Sequence, residues 1–300
     1  MQNAIKNILY TFSSKIKTSL KIYENNGLIG IINSFFRNIR VNIKFFTDID
    51  NKKKKILKII LLYSKKKIIE GPYKNVKFNY ESKWDELYLP SKYLGLYERQ
   101  IQIKIIELKK KYKLQNIINI GAAEGYHIVS LIKKKIFKNG IAFETDKHSQ
   151  ILLKKNLKLN FIKRKVKVFG HANFNILKDS LKNIELKKSL FLIDIEGNEF
   201  SFINKKNINF FRDSILIIEN HDFFIKNKNI INSFFIGIKK LFNIEIVKNN
   251  ERNPYHFKQL DNVDDDTRWL AMSENRVRNM NWLILTPKKI SNVKKKNIYN

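Results

Sequence analysis

A run of isoleucines at 117, 118 and 120 stops at Gly121, and the stretch that follows constrains the chain more than any other. The loop Gly121-Ala122-Ala123-Glu124-Gly125 leads into Ile128, Val129 and Ile132, and a second apolar run, Ile141 to Phe143, ends in Glu144. A short apolar run closed by glycine reads as a buried strand, and a 3.6-residue apolar period reads as a helix. Strand, tight turn, helix and strand make a βαβ unit, with an acid about twenty residues beyond the loop, at the carboxyl end of its second strand. Glycine at 121 and 125 lets the backbone turn sharply and leaves space for a ligand against the main chain.

The alternation continues along the chain. Residues 148–160 have a helical pattern, 166–170 a strand, 175–186 a helix, the run ending in Asp194 a fourth strand and the run ending in Glu219 a fifth. Upstream, 91–112 reads as one helix entered at Ser91, with Leu94, Tyr97, Ile101, Ile105 and Leu108 on one side, and Val76 to Tyr80 alternates like an edge strand after the Gly71-Pro72 turn. Past Asn229, Phe234, Phe235, Ile238 and Leu241 mark a helix leading to a strand at 243–247. Only a polar loop separates that strand from the last one, 281–285, so the two are expected to pair antiparallel at one edge. Strands alternating with helices predict an α/β fold with a doubly wound, mostly parallel sheet.

The amino-terminal third is built differently. Ile5, Ile8, Leu9, Phe12, Ile16 and Leu20, then Leu28 to Ile39, recur at helical spacing among lysines. This predicts a basic helical extension over residues 1–70, either packed on the domain or a partner, or lying on an anionic membrane through residues 1–45. The domain itself spans 71–290, and 291–300 is a basic tail expected to be disordered. No cysteine occurs in the 300 residues, which excludes disulfides and thiolate chemistry. The net charge of +32 invites a nucleic-acid partner, but lysines spread along the whole chain read as a solvated surface. No apolar window approaches the roughly 18 residues of a membrane span, and no signal peptide is recognisable, so a cytoplasmic protein is expected.

In an open α/β sheet, ligands sit beyond the carboxyl ends of the strands. Asn119, Gly121, Ala122, Ala123, Glu124 and Gly125 lie there after the first strand, Glu144 and Thr145 after the second, and His171 after the third. Asp194 and Glu196 follow the fourth, sharing a face if the strand persists, while Glu219, His221 and Asp222 close the fifth. A carboxylate at 144 can accept hydrogen bonds from a ribose diol. The G-x-x-x-G spacing departs from the dinucleotide pattern, and Glu124 would repel a pyrophosphate. A nucleoside carrying a sulfonium instead of phosphates, S-adenosylmethionine, suits such a loop. Asp194, Glu196, His221 and Asp222 form the candidate catalytic set, with Asp194 facing the cofactor's methionine end or the acceptor and His221 able to take a proton. Glu199 reads as an acid complementing a helix dipole, and His171 as a neighbour of the adenine or a simple turn residue. Oxygen ligands at 194, 196 and 222 would also suit a hard cation, although no metal is assigned. Asn253-Pro254-Tyr255 is read as a turn.

With these residues in view, the region from about Gly71 to Pro287 resembles the FkbM-type class I S-adenosylmethionine-dependent methyltransferases. Their aspartate-x-glutamate-glycine-x-glutamate run is matched by Asp194, Glu196, Gly197 and Glu199, and their acid at the end of the fifth strand by Glu219. The resemblance implies a seven-stranded sheet with an antiparallel final hairpin, the cofactor at the Gly121 loop and Glu144, and O-methylation of a hydroxyl on a sugar, glycan or small metabolite. Asn119 stands where the family usually has an acid. An RNA methyltransferase and a non-catalytic, membrane-docked scaffold are the alternatives.

Overall fold

A computed structural model describes residues 44–79, 89–249, 251–274, 276 and 278–288. The helices expected over 4–39, the tail and Tyr80 lie outside them. The chain divides into two compact units, Met1–Lys52 and Lys53–Asn300. Of the first, only the opening of helix α1 (Lys44–Ser64) is described.

The second unit continues with helices α2 (Leu89–Leu94) and α3 (Arg99–Tyr112), which precede strand β1 (Asn116–Ile120), helix α4 (Tyr126–Lys133) and strand β2 (Asn139–Phe143). Helix α5 (Lys147–Leu159), strand β3 (Val166–Phe169), helix α6 (Phe174–Ser180) and strand β4 (Ser189–Ile193) follow. A short helix α7 (Glu199–Phe202), strand β5 (Ile215–Glu219), helix α8 (Lys228–Leu241), strand β6 (Phe242–Lys248), helix α9 (Asp265–Met272) and strand β7 (Asn281–Pro287) complete it.

The strands form one seven-stranded sheet in the order β3-β2-β1-β4-β5-β7-β6. β1 to β5 pair in parallel, and β7 runs antiparallel to both β5 and β6. Side chains alternate between two apolar layers, as the period of two requires. Ile117, Leu190, Leu192, Ile215 and Ile217 face one layer, while Ile118, Ile120, Phe191, Ile193, Leu216 and Ile218 face the other. The unit begins upstream of the Gly71-Pro72 turn, because Ile56, Ile60 and Ile68 are buried in the same cluster as Ile101, Ile105 and Ile117. Among the described residues no helix is long and apolar enough to cross a membrane.

Three expectations are corrected. The helix predicted over 91–112 is broken, because Gly95 takes φ 79° against the Glu70 carbonyl and Glu98 takes φ 49°; the apolar period survives the break and conceals it. Val76 to Asn79 makes only a single bridge, Lys67 to Lys77. There Asn160 and Asn156 take the place of a partner strand, accepting from the backbone N–H of Lys77 at 3.1 Å and of Asn79 at 2.8 Å. The polar loop between β6 and β7 contains α9, entered at Asp264, whose carboxylate accepts from Thr267 N at 3.0 Å.

Candidate active site at the switch point of the sheet

The strand order reverses between β1 and β4, and beyond the carboxyl ends of the strands at such a point an open α/β sheet places its ligand crevice. Gly121 leaves β1 at φ 79°, and a Cβ on it would lie 1.6 Å from the backbone oxygen of Asp194. Only glycine permits this approach of the first loop to the end of β4. The N–H groups of Gly121 and Ala122 both donate to the Phe143 carbonyl at 3.0 Å, tying the loop to β2. Glu144 completes the tie, accepting from Ala123 N at 2.7 Å with one carboxylate oxygen and from Asp146 N at 2.8 Å with the other. Each oxygen keeps a further lone pair.

Around this centre the other loop residues fall differently from their sequence reading. Glu124 is buried and ion-paired with Lys92, whose Nζ lies 4.7 Å from the centre of the Tyr97 ring. The pair removes the free negative charge that was expected to repel a pyrophosphate. Asn119 is buried and donates from Nδ2 to the Leu192 carbonyl at 3.3 Å. Gly125 opens α4 at φ 90°. Thr145 and His171 are exposed.

Behind the loop lies a buried charge network. Asp194 follows directly on β4 and has Oδ1 buried without a hydrogen-bond partner. Burial, then the charges of Glu219 and Glu98, push its carboxyl well above the usual carboxylate range. Glu219 is also raised, chiefly by burial and then by the charge of Glu98. Arg276 lies across the network, donating to Glu219, to Glu98 at 2.5 Å and through Nε to Glu274 at 2.7 Å. Glu98 meets His127 Nε2 at 2.7 Å, and His127 Nδ1 lies 2.9 Å from the Tyr73 hydroxyl. Burial raises the Glu98 pKa, but the His127 hydrogen bond and Arg276 overcome it and bring the value to about 2.

His221 borders the same acids. Its Nδ1 lies 3.0 Å from Glu199, and its Nε2 lies 3.5 Å from Glu196 and 3.6 Å from Glu219. Burial lowers its pKa, but the Glu199 hydrogen bond and the charges of Glu219, Glu199 and Glu196 outweigh this and hold it above the ordinary histidine value. Glu199 is completely buried and also accepts from Ile195 N at 2.9 Å and Gly197 N at 3.0 Å. It organises the turn and orients the imidazole, beyond the helix-dipole role read from sequence. Asp194 and Glu196 do not share a strand face, because β4 ends at Ile193 and Glu196 adopts φ 53°, leaving its side chain 77% exposed. Asp222 is half-buried where the chain turns after His221.

Asp194, Glu219 and His221 offer ligand atoms within 4.8 Å of one another, close enough to hold a metal ion. This set replaces the one drawn through residues 196 and 222, and the Arg276 guanidinium already supplies Glu219 with a positive partner. Sequence reasoning missed Glu98, His127, Glu274 and Arg276, which reach the crevice from segments with no strand-end signal.

A β7 strand inserted antiparallel between β5 and β6, beside a β1-to-β4 switch point carrying a glycine loop, decides the architecture. The fold is that of the class I methyltransferases. No family model matches the chain, and no curated protein matches it in sequence. Among solved structures, the METTL16 methyltransferase domain is similar at 14% identity and TM-score 0.46, the match covering 80% of each chain. An O-methyltransferase from Bacillus cereus in complex with SAH is similar at 11% identity and TM-score 0.43, over 61% of this chain and 79% of that one. A precorrin-6y C5,15-methyltransferase from Geobacter metallireducens is similar at 12% identity and TM-score 0.40, over 64% and 88%.

Proposed function

We propose that this protein is an S-adenosylmethionine-dependent methyltransferase of the FkbM type that methylates a hydroxyl of a sugar, glycan or small metabolite. The observation that carries the reading is the pairing of two carboxyl groups at the switch point. Glu144 is fixed on the glycine loop with lone pairs to spare, and Asp194, whose backbone oxygen packs against Gly121, has Oδ1 buried and unpartnered. A carboxylate that binds loop N–H groups and still accepts suits a ribose diol. A buried carboxyl oxygen without a partner suits an ammonium or sulfonium, whose charge would favour the ionised form of Asp194. Bound there, the cofactor would supply an electrophilic methyl group.

The chain's own residues align the reactants and handle one proton. Glu199 holds Nδ1 of His221, which leaves Nε2 between the exposed Glu196, 3.5 Å away, and the buried Glu219, 3.6 Å away. His221 Nε2 would take the proton of an acceptor hydroxyl as that oxygen receives the methyl group. Alignment supplies most of the acceleration and base assistance the smaller share. Isothermal titration of the cofactor tests the assignment. Glu144→Ala should weaken binding about tenfold or more, as expected for losing hydrogen bonds to a charged acceptor; an affinity within about twofold of wild type would remove Glu144 from the site.

A further inference from the structure

The opposite end of the sheet carries a second surface, built of cations. Lys110 and Lys113 stand before β1, Lys135 and Lys138 before β2, and the run Lys163-Arg164-Lys165 before β3. These side chains are exposed, and among the described residues no carboxylate pairs with them. Lys110, Lys113, Lys135 and Lys138 line one shallow cleft. Because β3, β2 and β1 are adjacent, their entries lie within about 10 Å of one another. Like charges collected at one face without counter-ions attract an anionic partner.

An apolar group stands at the same end. Phe161, between α5 and β3, is 85% exposed and sits at φ 60°, with Lys133 Nζ 6.0 Å from its ring centre. Phe161 is the left-handed residue that closes α5, with Ile162 N donating to the Leu157 carbonyl at 3.0 Å, a position usually given to glycine or asparagine and not to a bulky exposed ring. An exposed ring among lysines matches a charged interface over hydrocarbon.

We propose that the amino-terminal end of the sheet docks on an anionic phospholipid bilayer, with the lysines against the headgroups and Phe161 inserted between them. A bilayer fits better than a nucleic acid, because the crevice lies at the far ends of the strands, about 16 Å away. A polymer held at this face would be turned from the reacting groups, whereas a membrane leaves the crevice open to water.

The test uses the full chain and flotation with vesicles of phosphatidylcholine, with and without roughly 30% phosphatidylserine; a structured RNA is titrated in parallel. Wild type should bind only the anionic vesicles. Reversing Lys110, Lys113, Lys135 and Lys138 to glutamate should lower that affinity about 100-fold or more, and changing the same four to alanine should lower it less. Phe161→Gly should lower it about tenfold while the melting temperature is kept. The proposal is overturned by a wild type that ignores anionic vesicles, by four-site variants that melt normally and bind them unchanged, or by RNA binding that alone responds to the reversal.

Discussion

The two ends of one sheet solve the problem of charge in opposite ways. At the carboxyl end, acids are buried and knit to one another through Arg276, His127 and His221, and burial and the charge of Glu219 hold the Asp194 carboxyl well above the usual range. At the amino end, cations are exposed and spread at the strand entries. Buried charge demands partners, because water no longer solvates it. Exposed charge is screened by solvent and salt, so it can stay unpaired and available. The first end is therefore rigid and particular about what it accepts, and the second is tolerant.

The largest difference should appear when the same kind of charge is removed from each end. Arg276→Ala leaves Glu98, Glu219 and Glu274 buried against one another. Removing one partner of a buried ion pair costs about 3 to 5 kcal/mol. Lys113→Ala, at an exposed position, should stay within about 0.5 kcal/mol of wild type or stabilise slightly by relieving repulsion. Urea denaturation of the two variants reads this directly. Equal losses would mean that the lysine end is as tightly organised as the acid end.

A smaller effect isolates His221 within the acid end. Its folded-state pKa lies above the unfolded one, so the stability it contributes is fully present below about pH 6.5 and is lost as pH rises through the folded value. Methyl transfer should run the other way, gaining as the imidazole loses its proton and becomes a base. Glu199→Gln removes the first of the influences that raise the pKa, and should move both profiles to lower pH by about 1 unit, as expected for losing an adjacent opposite charge. Cofactor affinity should hold. Profiles that stay in place would show that Glu199 merely shapes the turn.

Much of this contrast was written in the order of residues along the chain. Strands β1, β4 and β5 are buried on both faces and so appear as mostly apolar runs, interrupted in β1 by Asn119, which made the sheet readable. Lys113, Lys138 and Lys165 precede strands, and Glu144, Asp194 and Glu219 end or follow them. In a parallel sheet that order alone places them at opposite ends. The even scatter of lysines along the chain hid this, because composition carries no direction. Helix α9 was missed for a different reason: Trp269 is 52% exposed and only Thr267, Ala271 and Met272 are buried, so no apolar stripe marks it. Arg276, Glu98 and His127 become neighbours only through the folded contacts of distant segments.

The smallest expected effect sharpens the account of the amino end. Phe161→Gly removes a side chain from the left-handed region, where an L-residue is penalised by about 1 to 2 kcal/mol. Glycine's greater freedom in the unfolded chain takes back about 0.4 to 1 kcal/mol. The weak Lys133 contact with the ring, 6.0 Å away and solvent-exposed, accounts for about 0.5 kcal/mol more. The balance at the midpoints is a stabilisation of about 0.3 kcal/mol, visible as a small rise in the urea midpoint. A variant that becomes more stable while losing its hold on anionic vesicles would show that the ring is kept for what it touches outside the molecule. A loss of stability would mean instead that Phe161 packs within it, and the contrast between a committed end and an available one would narrow to the lysines.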